Sequence, residues 1–120
     1  MSLGLGTTPE EFRDFALAAI DIVAQYYREL PTMPIMPATT ATELRQLLYE
    51  PLPEEPGIPS EILSIIQEVV YPLCRDNGHP RFFGYISSPG TAGAAIGDLL
   101  AAALNANVTS WRSAPAAAEL

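Results

Sequence analysis

Apolar and polar positions alternate along this chain with a helical period, broken at intervals by proline. The first periodic stretch runs from Pro9 to Leu30 and should be one helix. Thr8-Pro9-Glu10-Glu11 reads as a capping box with proline at the first helical position, and Pro31 should stop the helix. Its polar residues, Asp14, Asp21, Gln25 and Arg28, make only a narrow stripe. Phe12, Phe15, Ala16, Ala19, Ile20, Ile22, Val23, Tyr26, Tyr27 and Leu30 cover the rest. A helix this apolar is normally buried on several sides. The short helices that follow can hardly cover it, so its cover is expected from outside the chain.

Residues 31–42, PTMPIMPATTAT, are proline-rich at their start and should be extended. Thr40-Ala41-Thr42-Glu43 caps a short helix ending near Glu50. A second proline-rich linker, PLPEEPGIP, follows. Ser60 is expected to cap a third helix whose apolar face is Ile62, Ile65, Ile66, Val69 and Val70, kinked or ended by Pro72. Asn77-Gly78 reads as a turn. Ala92, Ala95, Ile96, Leu99, Leu100, Ala103 and Leu104 recur at helical spacing, in a stretch where Gly93, Ala94, Gly97, Ala101 and Ala102 would let another backbone approach. Residues 105–111 are irregular. A last helix opens in Ser113-Ala114-Pro115 and has only a few residues before Leu120. So short a helix does not sustain itself, and the chain reads as the front portion of a longer protein.

Between the turn at Gly78 and the pair Pro89-Gly90 lies the densest aromatic run, GHPRFFGYISSPG. Pro80 forces His79 out of the helical region, so the segment begins extended. Phe82 and Ile86 share one parity, Phe83 and Tyr85 the other, so a strand here would be apolar on both faces. Ser87 and Ser88 add hydroxyls just before a helix, where free backbone N–H groups favour anions. Two readings stand: a buried strand with a serine cap, or an aromatic wall beside a polar corner. His79 alone reads as a turn-stabilising or packed residue rather than a catalyst, Trp111 as core or interface packing, and Glu54-Glu55 as solvated linker.

Composition narrows the chemistry. The 120 residues suffice for one small domain, and 48% are hydrophobic. A net charge of −8 argues against nucleic acid and against an anionic membrane surface. No apolar run reaches the roughly 18 residues of a membrane span. Cys74 is the single cysteine, so no internal disulfide forms, which fits the cytoplasm. One His and one Cys far from any acidic cluster leave no metal-ligand spacing. The six basic residues are Arg13, Arg28, Arg45, Arg75, Arg81 and Arg112, so lysine is absent and no side chain can form a Schiff base.

The segments HPRFFGYISSPGT and NVTSWRSAPAAAEL, in this order and spacing, resemble the group II pyridoxal-phosphate decarboxylases, the family of the aromatic-L-amino-acid and glutamate decarboxylases. The amphipathic first helix and the proline-rich linkers also resemble that family's N-terminal region. The resemblance runs from about Thr8 onward and covers the first quarter or so of a typical member. It implies a mainly α chain, the N-terminal helical segment of a fold-type I pyridoxal-phosphate enzyme, truncated before the large α/β domain. Residues 1–75 would be a helical dimerisation segment with proline-rich linkers. Residues 76–120 would be a pocket-lining loop and the start of the large cofactor-binding domain.

The resemblance further implies pyridoxal phosphate as cofactor, an amino acid as substrate and a homodimer in which the first helix packs on the partner. Phe83, Tyr85, Ser87 and Ser88 would be the substrate-binding residues. Tyr85 stands where aromatic-specific members carry tyrosine and glutamate-specific members glutamine. Ser88 stands where threonine is usual, and keeps the hydroxyl. Thr109 departs from the apolar aromatic often found in animal aromatic decarboxylases. The family's cofactor lysine, pyridinium aspartate and stacking histidine have no counterpart in these residues. The competing expectation is a free-standing helical module that binds partner helices through its first helix.

Overall fold

A computed structural model describes residues 6–55 and 57–119. It forms two compact units, Met1–Ser87 and Ser88–Leu120. Helices α1 (Pro9–Glu29), α2 (Ala41–Leu48) and α3 (Pro59–Ile65) belong to the first unit, and α4 (Ala92–Leu104) and α5 (Pro115–Glu119) to the second. No strand forms among the described residues, so the chain is mainly α.

Each boundary has a local cause. Thr8 accepts a hydrogen bond from Glu11 N at 3.2 Å, and a Glu11 carboxylate oxygen accepts from Thr8 N at 2.8 Å. Thr40 and Glu43 repeat the arrangement at 3.2 and 2.7 Å to open α2. These capping boxes lower the pKa of both carboxyls: Glu11 chiefly through the backbone N–H of Thr8, Glu43 chiefly through the hydroxyl of Thr40.

Two boundaries differ from the sequence expectation. Pro31 does not turn the chain straight into extended structure: α1 tightens into a 3₁₀ turn, Leu30–Thr32, closed by Met33 N donating to Leu30 O at 3.3 Å. Proline at the start of such a turn is tolerated because its fixed φ suits it and its missing N–H would have no partner there. Ser60 does not cap α3. Ile58 holds the cap position without any side-chain bond, and Pro59 begins the helix. Proline at the first helical position outweighs the preference for serine as a cap.

The helix of α3 widens into a π-type turn, Ile66–Val70, with Tyr71 N donating to Ile66 O at 2.9 Å. Pro72 follows directly and ends the helix. The second half of α1 packs on α3. There Gln67 Nε2 donates to Gln25 Oε1 at 3.2 Å, and the rings of Tyr26 and Tyr71 lie 4.7 Å apart. Residues 22–27 of α1 are half-buried, but Phe12, Phe15, Leu17 and Ile20 in its first half stay exposed. No large side chain among the described residues is fully buried. The first unit is therefore a scaffold held by helix packing and polar ties, with much apolar surface open.

In the second unit Thr91 caps α4 by accepting from Ala94 N at 3.1 Å, and Asn105 closes it in the left-handed conformation that asparagine tolerates. Every residue of α4 is exposed. A Cβ placed at Gly93 or Gly97 would meet nothing within 4 Å, so among the described residues these two glycines face open space. Trp111 is exposed rather than core; its Nε1 donates to Glu119 at 2.6 Å and ties the turn to α5.

Candidate functional site

The aromatic segment takes neither helix nor strand. Its entry is fixed by two buried polar residues. Asp76 is 4% exposed and His79 2%. Asp76 N donates to Ile35 O at 3.3 Å, His79 N donates to Asp76 O at 3.3 Å, and Phe82 N donates to His79 O at 2.9 Å. His79 Nδ1 accepts from the backbone N–H of Arg81 at 3.1 Å. In the neutral ring that bond leaves the proton on Nε2. His79 is thus a turn-stabilising residue, as expected from its place before proline. Asp76 Oδ2 and His79 Nε2 are buried without a protein partner. Asp76 Oδ1 accepts from the hydroxyl of Tyr26.

Beyond this anchor the segment turns outward. Phe82 is half-buried, whereas Phe83 is 93%, Tyr85 76% and Ile86 107% exposed. The buried-strand reading is therefore set aside. The reason is visible at Tyr85, whose φ of 62° lies in the left-handed region and breaks any extended run. A bulky side chain there is an outlier, at a cost of about 1–3 kcal/mol. The surroundings offset it. The Arg75 guanidinium lies 4.3 Å from the centre of the Tyr85 ring and 5.2 Å from that of Phe82. The two rings are stacked within 20° at 6.2 Å. Gly84 allows this fold-back: a Cβ there would already touch the Phe82 ring at 3.4 Å.

Of the residues singled out from sequence, Phe83, Tyr85 and Ser87 fall in the first unit, all exposed, and Ser88 begins the second, also exposed. Sequence reasoning missed Arg75, Asp76 and Tyr26. Only the turn signal at Asn77-Gly78 hinted that Arg75 and Asp76 sit at a bend. Chemically, the first unit offers here aromatic faces, the guanidinium of Arg75 against two of them, that of Arg81, and the hydroxyl of Ser87. Such a set can stack a flat apolar group and hydrogen-bond a polar one. Pyridoxal phosphate is held through a lysine imine, and none of these 120 residues is a lysine. The residues present do not fit the covalent attachment of that cofactor.

Comparison with known proteins identifies the class. Residues 41–120 match the pyridoxal-dependent decarboxylase conserved domain. Tyrosine decarboxylase 4 of Petroselinum crispum is 33% identical over 112 residues, covering 93% of this chain and 22% of that protein. The Oryza sativa TDC structure with PLP and tryptamine superposes with a TM-score of 0.85 at 26% identity, covering 98% of this chain and 24% of that one. Catharanthus roseus tryptophan decarboxylase in complex with L-tryptophan gives 0.82 at 30% identity, covering 93% and 24%. The chain belongs to the pyridoxal-dependent decarboxylase family, and it spans about a fifth of the length of the curated relatives it matches.

Proposed function

We propose that these residues are part of a pyridoxal-phosphate-dependent L-amino-acid decarboxylase of the aromatic type, a carboxy-lyase that works as a homodimer in the cytoplasm. The observation that carries this reading is the coincidence of the family match with an outward-facing aromatic segment. Relatives named for tyrosine and tryptophan decarboxylation support an aromatic substrate. Pyridoxal phosphate, which these residues cannot attach covalently, would supply the electron sink for loss of the α-carboxylate.

The contribution of this chain is placement. Phe83 and Tyr85 would face the substrate ring, and Ser87 and Ser88 would offer hydroxyls toward its polar end. Residues 1–75 would serve dimer contact, with the open face of α1 covered by the second subunit. Residues 76–120 would carry the pocket-lining segment into the cofactor domain. The exposed Phe12, Phe15, Leu17 and Ile20 support such a cover, since apolar surface of this extent is normally buried against something. The lone Cys74 supports a reducing compartment. A free-standing interaction module accounts for the same open face but not for the family match.

The test uses the complete gene product loaded with pyridoxal phosphate. CO2 release from L-tyrosine or L-tryptophan, well above that from L-glutamate, is the expected result. Preference for glutamate would overturn the aromatic assignment, and no release from any amino acid would overturn the decarboxylase reading.

A further inference from the structure

Two described non-glycine residues have positive φ, and they differ in kind. Asn105 closes α4, where asparagine is at home. Tyr85 is aromatic, lies in an irregular segment and carries a largely exposed ring. A strained backbone persists only where its surroundings over-determine it. Here the surroundings are few. Phe83 and Ile86 on either side are almost wholly exposed and hold nothing. What remains is the stack: Arg75 against both rings, Phe82 behind Tyr85, and Asn77 Oδ1 accepting from Arg75 Nε at 3.2 Å.

The bond to Asn77 fixes the guanidinium at its Nε, and its charge lies over both rings. A cation on an aromatic face attracts the ring quadrupole. From this geometry we infer that Arg75 is a positioning residue: it grips Tyr85 in its left-handed conformation and so sets the ring against which an aromatic substrate side chain stacks. The substrate half of this inference rests on the assignment of Tyr85 under Proposed function. The grip itself rests on geometry alone. Arginine serves better than lysine, because the guanidinium can reach the rings with its charge while its Nε–H holds Asn77.

The test uses the complete holoenzyme with R75Q, R75K and the milder N77A, and two readouts. Chymotrypsin cleaves after exposed aromatic residues, so the rate of cleavage after Phe83 and Tyr85 reports the grip. Steady-state kinetics with an aromatic amino acid report the ring. R75Q should raise the cleavage rate about five-fold, in keeping with a modest cation–π contact. It should raise KM by a similar factor while kcat changes little. R75K should fall between R75Q and the unaltered enzyme in both readouts, and N77A should shift both in the same direction as R75Q. Unchanged cleavage in R75Q and N77A would overturn the inference, whatever the activity. Faster cleavage with unchanged KM would overturn the substrate half and remove Tyr85 from the pocket. An enzyme inactive on aromatic amino acids would defeat the proposed function instead, while cleavage would still decide the grip.

Discussion

The hydroxyl of Tyr26, on the packed half of α1, donates to the buried carboxylate of Asp76, 50 residues further along the chain. This bond ties the longest helix to the turn from which the aromatic segment departs. Removing the donor leaves the carboxylate buried with no protein partner on either oxygen, since Asp76 Oδ2 already lacks one. An orphaned buried polar group costs about 1–3 kcal/mol, more when charged. Tyr26→Phe should therefore lower the unfolding free energy obtained from urea titration by an amount in that range, and the midpoint with it. A midpoint within experimental error of the unaltered protein would mean that the bond is not formed in solution.

The same pair sets an alkaline limit. Partial burial first, and the bond to Asp76 second, raise the pKa of the Tyr26 hydroxyl above its ordinary value of 10.0. The protonated phenol is thus favoured in the folded state. Its stabilisation is fully present below about pH 10 and is lost as pH rises through the higher folded value. Stability measured from pH 8 to 12 should fall beyond pH 10, and Tyr26→Phe, which cannot titrate there, should flatten that fall. A parallel loss in both proteins would assign the limit to other groups.

The open half of α1 should be an association surface. Ile20→Glu, on the exposed face of the helix, places a charge where an apolar partner is expected. Buried charges without partners are costly enough to break an interface. In the complete protein, light scattering should show dimers before the change and monomers after it. Dimers of unchanged mass would place the interface elsewhere.

Tyr85 should bias substrate choice. An aromatic pair contributes about 0.5–1.5 kcal/mol beyond area burial, a several-fold preference rather than an absolute one. Tyr85→Ala in the complete enzyme should lower kcat/KM for aromatic amino acids more than for acidic ones. Equal losses for both classes would reduce Tyr85 to a support of its own segment.

Residues 1–120 alone should not capture the cofactor covalently through a side chain. All six basic residues are arginines, which do not form the imine. With the N-terminal amine blocked, added pyridoxal phosphate should give no absorbance band that survives dialysis and disappears with borohydride. Such a band would show a nucleophile that the composition does not contain.

The helices, their order and most of their caps were legible in the sequence because they are local. Thr8 with Glu11 and Thr40 with Glu43 satisfy orphan N–H groups three residues away, and no distant contact can easily overrule them. The misreadings at Pro31 and Ser60 were also local, where two signals competed and the fixed φ of proline prevailed. The family, too, was legible, because HPRFFGYISSPGT and NVTSWRSAPAAAEL carry it in residue order alone. What the chain could not announce was which aromatics would be held and which left free. Parity put Phe82 with Ile86, yet Phe82 folds back under Arg75 while Ile86 points into solvent. That outcome depends on a left-handed turn at Tyr85, and a single φ has no periodic signature. The link from Tyr26 to Asp76 was equally silent: nothing in a sequence marks a hydrogen bond across 50 residues. It exists because packing α1 on α3 brings a hydroxyl to a carboxylate that burial has deprived of water, and only the folded chain creates that need.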